Sequence, residues 1–183
     1  KSLIEAERRG DFLGKTVSVI PHVPDEVKRG IMKCAEGFDI CLIEIGGTIG
    51  DYENVPFLFA AKGMEEEFGL DNVCHIMVTY LPVPSHIDEM KTKPTQLAVR
   101  LLREQGIQPD FIFCRGEHAL DEPRKKKIER YANILSEHVI SMPDVVGEGT
   151  ANTIYVIPLD LEKERFGDRL LARLKLEKKN GSN

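Results

Sequence analysis

Apolar residues along this chain recur in two spacings, one typical of buried strands and one typical of amphipathic helices. Short apolar runs predict strands at residues 16–21, 40–45, 72–81, 111–114, 139–141 and 154–157. Apolar residues three or four positions apart predict helices that begin near Val23, Asn54, Pro94, Asp121 and Asp160, and residues 1–9 are helical in composition. Strands that alternate with helices of this length predict an α/β fold with a mainly parallel sheet flanked by helices.

One acidic residue interrupts the apolar run at residues 40–45. Residues 40–45 are apolar at every position except Glu44, which is typical of a parallel strand covered on both faces. A buried carboxylate without a partner costs several kcal/mol, so Glu44 needs a cation, a hydrogen-bond network or a cavity. It is either a ligand for Mg²⁺, which prefers carboxylate oxygens, or a carboxylate at the strand end that reaches water.

A glycine-rich turn follows this run. The glycines within residues 46–50 allow positive φ angles or a close approach to a ligand. Asn54 is placed to cap the next helix, and Pro56 suits its first turn. Asp51 and Glu53 are therefore expected just past the carboxyl end of a strand, where ligands bind in open α/β sheets.

Composition narrows the class of protein without identifying a site. The 183 residues are enough for one domain, and 42% apolar and 30% charged residues are ordinary for a globular protein. A net charge of −5 gives no reason to expect nucleic acid or an anionic membrane as a partner. The four cysteines lie in apolar segments without a Cys-x-x-Cys pair, which predicts buried thiols and a cytoplasmic location.

The stretch Lys91–Gln96 has features suited to a nucleotide. Lys91 and Lys93 lie two apart in a stretch that is expected to be extended, because it precedes a proline. Thr95 and the free amides of the following helix suit phosphate, and Gln96 offers a donor and an acceptor to the edge of a base. The alternative is an ordinary exposed lysine loop.

A second cationic stretch, Lys125–Lys127, lies in the first turns of a predicted helix. Cations there oppose the helix dipole, which is easier to understand if an anion binds nearby. The alternative is a solvated helix face.

Four motifs, taken in order, resemble the synthetase (amidoligase) domain of the CTP synthase family. They are Arg8-Arg-Gly-Asp-Phe-Leu-Gly14, Glu44-Ile-Gly-Gly-Thr-Ile-Gly-Asp51-Tyr52-Glu53-Asn-Val-Pro-Phe-Leu, Lys91-Thr92-Lys93-Pro94-Thr95-Gln96 and Gly106-Ile-Gln-Pro-Asp-Phe-Ile-Phe-Cys-Arg115. The resemblance runs from about residue 5 to residue 175 and implies a P-loop NTPase-like fold similar to that of dethiobiotin synthetase. It also implies ATP-dependent amination of UTP to CTP through a 4-phosphorylated intermediate, with ammonia from a glutaminase domain, Mg²⁺ and a homotetramer.

The resemblance assigns roles position by position. UTP or CTP is expected to bind Asp51, Tyr52, Glu53, Lys91, Thr92, Lys93, Pro94, Thr95, Gln96 and Lys127, with Lys91 and Lys93 as catalytic lysines. In the family this nucleotide site is built between subunits, so its two groups of residues are expected to meet across an interface. ATP is expected at Pro143, Asp144 and Val145, although Pro143 is unusual for the family, and Mg²⁺ at Glu44.

The resemblance also implies that some machinery lies elsewhere. A P-loop with its lysine is expected upstream of residue 1, and no glutaminase domain is expected within these residues. Residues 1–175 are therefore expected to be part of a synthetase domain, inert by itself, with a polar tail at 176–183. Two alternatives remain: another P-loop amidoligase, and a non-catalytic module that binds CTP or UTP for regulation or assembly.

Overall fold

The computed structural model describes residues 1–86, 89–144 and 154–178. The chain divides into two compact units, one from Lys1 to Gly69 and the other from Leu70 onward. We refer to them as the helical unit and the sheet unit.

Three helices form the helical unit: α1 (Ser2–Arg9), α2 (Val19–Ala35) and α3 (Val55–Phe68). A short 3₁₀ turn, Tyr52–Asn54, precedes α3, and α3 packs against α2. Gly69 ends α3 with a φ of 83°, which confirms the predicted stop.

Two strands predicted in this unit are wrong. Residues 16–18 lie outside any helix or strand, and α2 begins at Val19, with a non-helical Ile20 before a cis peptide bond to Pro21. Residues 40–46 also have neither helical nor strand structure, and Glu44 is exposed instead of buried in a strand. A strand forms only where another strand supplies hydrogen bonds, and in the described structure neither segment belongs to the sheet.

In its described residues, the sheet unit is built on three parallel strands in the order β1–β2–β3. They are β1 (Ile76–Tyr80), β2 (Phe111–Gly116) and β3 (Val139–Pro143). Helix α4 (Lys93–Glu104) connects β1 to β2, and α5 (Glu122–Ala132) lies between β2 and β3. The described structure is therefore α/β with a parallel sheet flanked by helices, consistent with a P-loop NTPase-like synthetase domain.

The helices cover both faces of this sheet. After β3 the described chain continues with a 3₁₀ turn (Ile154–Val156), α6 (Ile157–Lys163) and α7 (Phe166–Arg173). Phe166 of α7 packs on Phe111 and Phe113, which share one face because they are two apart on β2. Thr79, on the opposite face, shares a 2.9 Å hydrogen bond with Thr95 of α4.

The predicted strand at 154–157 is wrong, because its described residues form the 3₁₀ turn and the start of α6. The single helix predicted from Asp160 is also interrupted, since Arg165 adopts a left-handed conformation with a φ of 53° between α6 and α7. The cap predicted at Asp121 is confirmed, because its carboxylate accepts a hydrogen bond from the Arg124 amide at 3.0 Å.

An ion pair ties the amino-terminal edge of the sheet to α7. Arg173 Nε lies 2.6 Å from Asp110 Oδ1, and Asp110 Oδ2 accepts from the His75 amide at 2.7 Å. Both side chains of the ion pair are largely shielded from solvent. This pair fixes the start of β2 against β1 and α7.

The cysteines differ between the units. Cys34 and Cys41 of the helical unit are exposed, so the prediction that all four thiols are buried is wrong for these two. Cys41 belongs to the segment that forms no strand, which explains its exposure. In the sheet unit, burial raises the pKa of Cys74 and Cys114 to about 12.

Among the described residues, none of the helices is long and apolar enough to span a membrane.

Candidate functional site

The carboxyl ends of three parallel strands meet at one edge of the sheet unit. The loop after β1 leads to Lys91, the loop after β2 leads to α5 with Lys127, and β3 ends next to Asp144. Ligands bind at this edge in open α/β sheets. The fold therefore brings the predicted nucleotide-binding lysines and a predicted ATP-binding residue to a common edge.

The loop before α4 is held by backbone and packing contacts. The Lys91 amide donates to the Pro82 carbonyl at 2.9 Å, and the side chain of Met90 is buried. Gly116 allows this close approach, because a Cβ there would lie 3.2 Å from the Leu81 oxygen and 3.5 Å from Met90 Cε. The backbone that precedes Lys91 is thus set by the end of β2.

The predicted extended conformation before Pro94 is wrong at Thr92. Its φ of −92° and ψ of −11° are in the right-handed helical region, and Thr92 is the N-cap residue of α4, which begins at Lys93. Thr92 and Thr95 are buried, and Gln96 Nε2 donates to Thr92 Oγ1 at 3.1 Å. Lys93 and Pro94 are exposed.

Cations surround a carboxylate that the sequence did not single out. Lys91 Nζ lies 2.8 Å from Glu89 Oε2, and Arg124 Nη2 lies 3.5 Å from Glu89 Oε1. The hydrogen bond from Lys91 lowers the pKa of the Glu89 carboxyl, and the charges of Arg124 and Lys127 lower it further. Glu89 is therefore the anion at a point where positive charges from the loop before α4 and from helix α5 converge.

Arg124 of α5 joins this helix to the loop before α4. Its Nε donates to the Met90 carbonyl at 3.0 Å, and its guanidinium also pairs with Asp121. A cavity of about 180 Å³ lies alongside, lined by Val83, Met90, His118, Ala119, Asp121 and Arg124. In the sequence, Glu89 and Arg124 are marked only by lying just before a lysine-containing stretch, which is a weak signal because exposed charged residues are common.

At the end of β3, Asp144 is fixed by β2. Its amide donates to the Gly116 carbonyl at 2.7 Å, and Arg115 Nη2 lies 2.8 Å from its Oδ1. Pro143 is the last residue of β3. Val145, predicted to contact ATP, lies outside the described residues.

In the helical unit, the glycine-rich turn is organised by two side chains. Asp51 Oδ2 accepts from the Thr48 amide at 2.9 Å, and Asn54 Nδ2 donates to the Thr48 carbonyl at 3.2 Å. Gly47 has a φ of 85°, and a Cβ there would lie 2.8 Å from Asn54 Nδ2, so glycine is required. Tyr52 is 84% exposed, and Asp51 and Glu53 are exposed as well.

Glu44 has the chemistry of a Mg²⁺ ligand but little support nearby. In the described ranges, no three His, Cys, Asp or Glu side chains gather closely enough to hold a metal ion. Mg²⁺ is usually bound by one or two carboxylates together with substrate phosphates and water. The exposed Glu44 carboxylate therefore fits a metal shared with a nucleotide, and does not amount to a complete metal site.

Comparison with known proteins places these motifs in one family. The profile described as CTP synthase N-terminus matches residues 1–176. The CTP synthase of Pyrococcus horikoshii is 50% identical over 176 residues, which cover 96% of this chain and 32% of that protein. The chain belongs to the CTP synthase family. The family's enzymes from Methanopyrus kandleri and Geotalea uraniireducens are 47% and 46% identical, again over 96% of this chain and 32% of each relative.

The chain thus spans about a third of the length of these CTP synthases. Within that third, the structure brings Lys91, Lys127 and Asp144 to one edge of the sheet unit and places Asp51, Tyr52 and Glu53 on a turn of the helical unit.

Proposed function

We propose that this chain serves the ATP-dependent amination of UTP to CTP, as the part of a CTP synthase that holds the pyrimidine nucleotide. The observation that carries the proposal is the convergence of Lys91, Arg124 and Lys127 on Glu89 at the carboxyl edge of the parallel sheet. A triphosphate needs such a concentration of positive charge, and a chain with a net charge of −5 supplies it only locally.

Each residue has a role that follows from its chemistry. Lys91 and Lys127 neutralise the triphosphate, and the exposed Lys93 stabilises charge that develops during transfer. Gln96 recognises the edge of the base by hydrogen bonds, and Asp51, Tyr52 and Glu53 offer hydrogen bonds to a nucleotide held by another subunit. Thr92, Pro94 and Thr95 shape the start of α4, where two of their side chains are buried.

In the reaction, O4 of UTP takes the terminal phosphoryl group of ATP, and ADP leaves. Ammonia then attacks C4 and expels the phosphate, giving CTP. Asp144 and its neighbours Pro143 and Val145 hold the adenine end of ATP, and Glu44 would hold Mg²⁺, which when bound neutralises phosphate charge. The protein's contribution is chiefly positioning and charge neutralisation.

The cavity beside Arg124 also supports a site completed by other residues. Its volume of about 180 Å³ is below the roughly 300–1,000 Å³ of small-molecule sites. A whole nucleotide therefore needs further walls, and we propose that a homotetramer supplies them and that a glutaminase domain supplies ammonia.

Calorimetric titration of CTP and UTP into the full chain tests the proposal. We expect saturable binding that weakens at least tenfold in Lys91→Ala and in Lys127→Ala, because each removes a charged hydrogen-bond donor to phosphate. Lys126→Ala is the matched control, since Lys126 is an exposed neighbour on the same helix. Equal affinity for GTP, or unchanged affinity in both lysine variants, would contradict the proposal.

A further inference from the structure

Arg124 occupies an unusual place among the cations at the carboxyl edge. Its side chain is only 25% exposed, whereas Lys127, three residues later on α5, is exposed. Its Nε donates a hydrogen bond to the Met90 carbonyl at 3.0 Å, and its terminal nitrogens form ion pairs with Asp121 and Glu89. A guanidinium with these partners has little capacity left for a phosphate, so its role differs from that of the lysines.

The partners of Arg124 lie on both sides of the candidate site. Asp121 caps α5, the helix that carries Lys127. Met90 immediately precedes Lys91, and the Glu89 carboxylate oxygen Oε2 lies 2.8 Å from Lys91 Nζ. Arg124 therefore connects the backbone and the counter-ion of Lys91 to the first turn of the helix that bears Lys127.

We propose that Arg124 is a positioning residue that fixes Lys91 relative to Lys127 so that both ammonium groups bind one triphosphate. This inference rests on the proposed function, because it assigns Lys91 and Lys127 to the nucleotide. Arg124 acts through Lys91: it holds the Met90 carbonyl, and it shares Glu89 with the Lys91 ammonium.

Only an arginine can make this set of contacts. The guanidinium presents donors in a rigid fork, so one side chain can bind a carbonyl with Nε while its terminal nitrogens face carboxylates. A lysine carries the same charge on a single nitrogen and cannot reach the Met90 carbonyl and both carboxylates in this way. Substitution by lysine therefore separates positioning from charge.

The test is CTP titration of the full chain and its variants at neutral pH. We expect Arg124→Ala to weaken binding about tenfold, the effect of losing one well-oriented charged contact. Arg124→Lys is expected to weaken it nearly as much, and it remains informative if the alanine variant does not fold. Arg130→Ala is the matched control, because Arg130 is an exposed arginine on the same helix. Circular dichroism verifies that each variant is folded.

A double-mutant cycle separates positioning from direct contact. In a Lys91→Ala background, Arg124→Ala is expected to weaken binding less than twofold, since the residue that it positions is gone. A tenfold loss of CTP affinity from Arg124→Ala in the Lys91→Ala background would overturn the inference. Wild-type affinity in Arg124→Lys, or in folded Arg124→Ala, would overturn it as well. Each of these results would leave the proposed function standing. If CTP does not bind the wild-type chain, or if Lys91→Ala binds it normally, the proposed function fails first and the inference fails with it.

Discussion

The two units of this chain bury their apolar residues to very different extents. In the sheet unit, Phe111, Ile112 and Ile140 are fully buried, with 0% exposure. In the helical unit, the buried apolar residues of the described structure are Leu58, Ala60 and Met64 of α3, with Pro24 of α2. Leu42, in an apolar run of the same kind as β2, is 88% exposed.

The difference shows what an apolar run needs in order to become a strand. Residues of β2 have a parallel neighbour on each side, so their backbone groups are paired and their side chains are covered by helices. Residues 40–46 have the same apolar character, yet the described sheet does not include them. Strand formation is therefore a property of a segment together with its neighbours.

The largest expected difference between the units is in thiol reactivity. Burial raises the pKa of Cys74 and Cys114 from 9.0 to about 12, so three powers of ten separate their thiolate populations from that of an ordinary thiol. The thiolate is the reactive form, and it becomes populated only as the pH rises toward the pKa. At pH 8 we expect alkylation to be at least about tenfold slower at these thiols than at the exposed Cys34 and Cys41, measured by peptide mass spectrometry.

Denaturant provides the control for this experiment. In unfolded protein all four cysteines are expected to react at similar rates. Fast labelling of Cys114 in the native protein would show that the sheet unit opens readily, and slow labelling of Cys41 would show that residues 40–46 are covered in solution.

The second difference concerns core substitutions. Phe111→Ala leaves a cavity among Ile140, Met142 and Phe166, and we expect the free energy of unfolding to fall by about 3–5 kcal/mol. Leu42→Ala removes an exposed side chain, so a change within about 0.5 kcal/mol is expected. Urea denaturation followed by circular dichroism measures both. A large loss in Leu42→Ala would mean that this segment packs against something in solution.

The smallest expected effect concerns an exposed ion pair of the helical unit. Glu26 accepts hydrogen bonds from Arg29 and from Ser2 of α1, and these contacts lower its pKa from 4.5 to about 2. Because the folded-state pKa is depressed, its stabilisation is present above pH 4.5 and is lost as the pH falls through about 2. We therefore expect Glu26→Gln to lower Tm slightly at pH 7 and to match the wild type near pH 2.

Glu7→Gln is the control for this substitution, since Glu7 is an exposed carboxylate on α1. A Tm difference between Glu26→Gln and the wild type that persists unchanged at pH 2 would show that the ion pair is not its source.

Local signals in the sequence predict helix ends in both units and two strands of the sheet unit. Asp121 caps α5 and Gly69 ends α3 as expected, because caps and stops depend on the residue itself and its immediate neighbours. The apolar runs at 111–114 and 139–141 form β2 and β3. The run at 154–157 does not form a strand, because short apolar runs fit a buried helix turn equally well.

The candidate site was predicted less completely. Resemblance to a family supplied Lys91, Lys127 and Asp144, and the parallel sheet explains why these distant residues share an edge. The sequence does not single out Glu89 and Arg124, because their importance lies in a contact between a loop and a helix whose residues are 35 positions apart along the chain. The apolar neighbours of Glu44 predict a strand there, whereas the structure has no strand at this segment and exposes the Glu44 side chain.

The loops at the carboxyl edge are interlocked, and this has an evolutionary consequence. Arg124 holds the Met90 carbonyl, Arg115 pairs with Asp144, and the Asp144 amide binds the end of β2. A substitution in one loop therefore alters the position of residues in the next. Mutations at this edge are expected to be epistatic, so that changes in ligand preference become acceptable in pairs that span two loops, while the sheet beneath them stays constant.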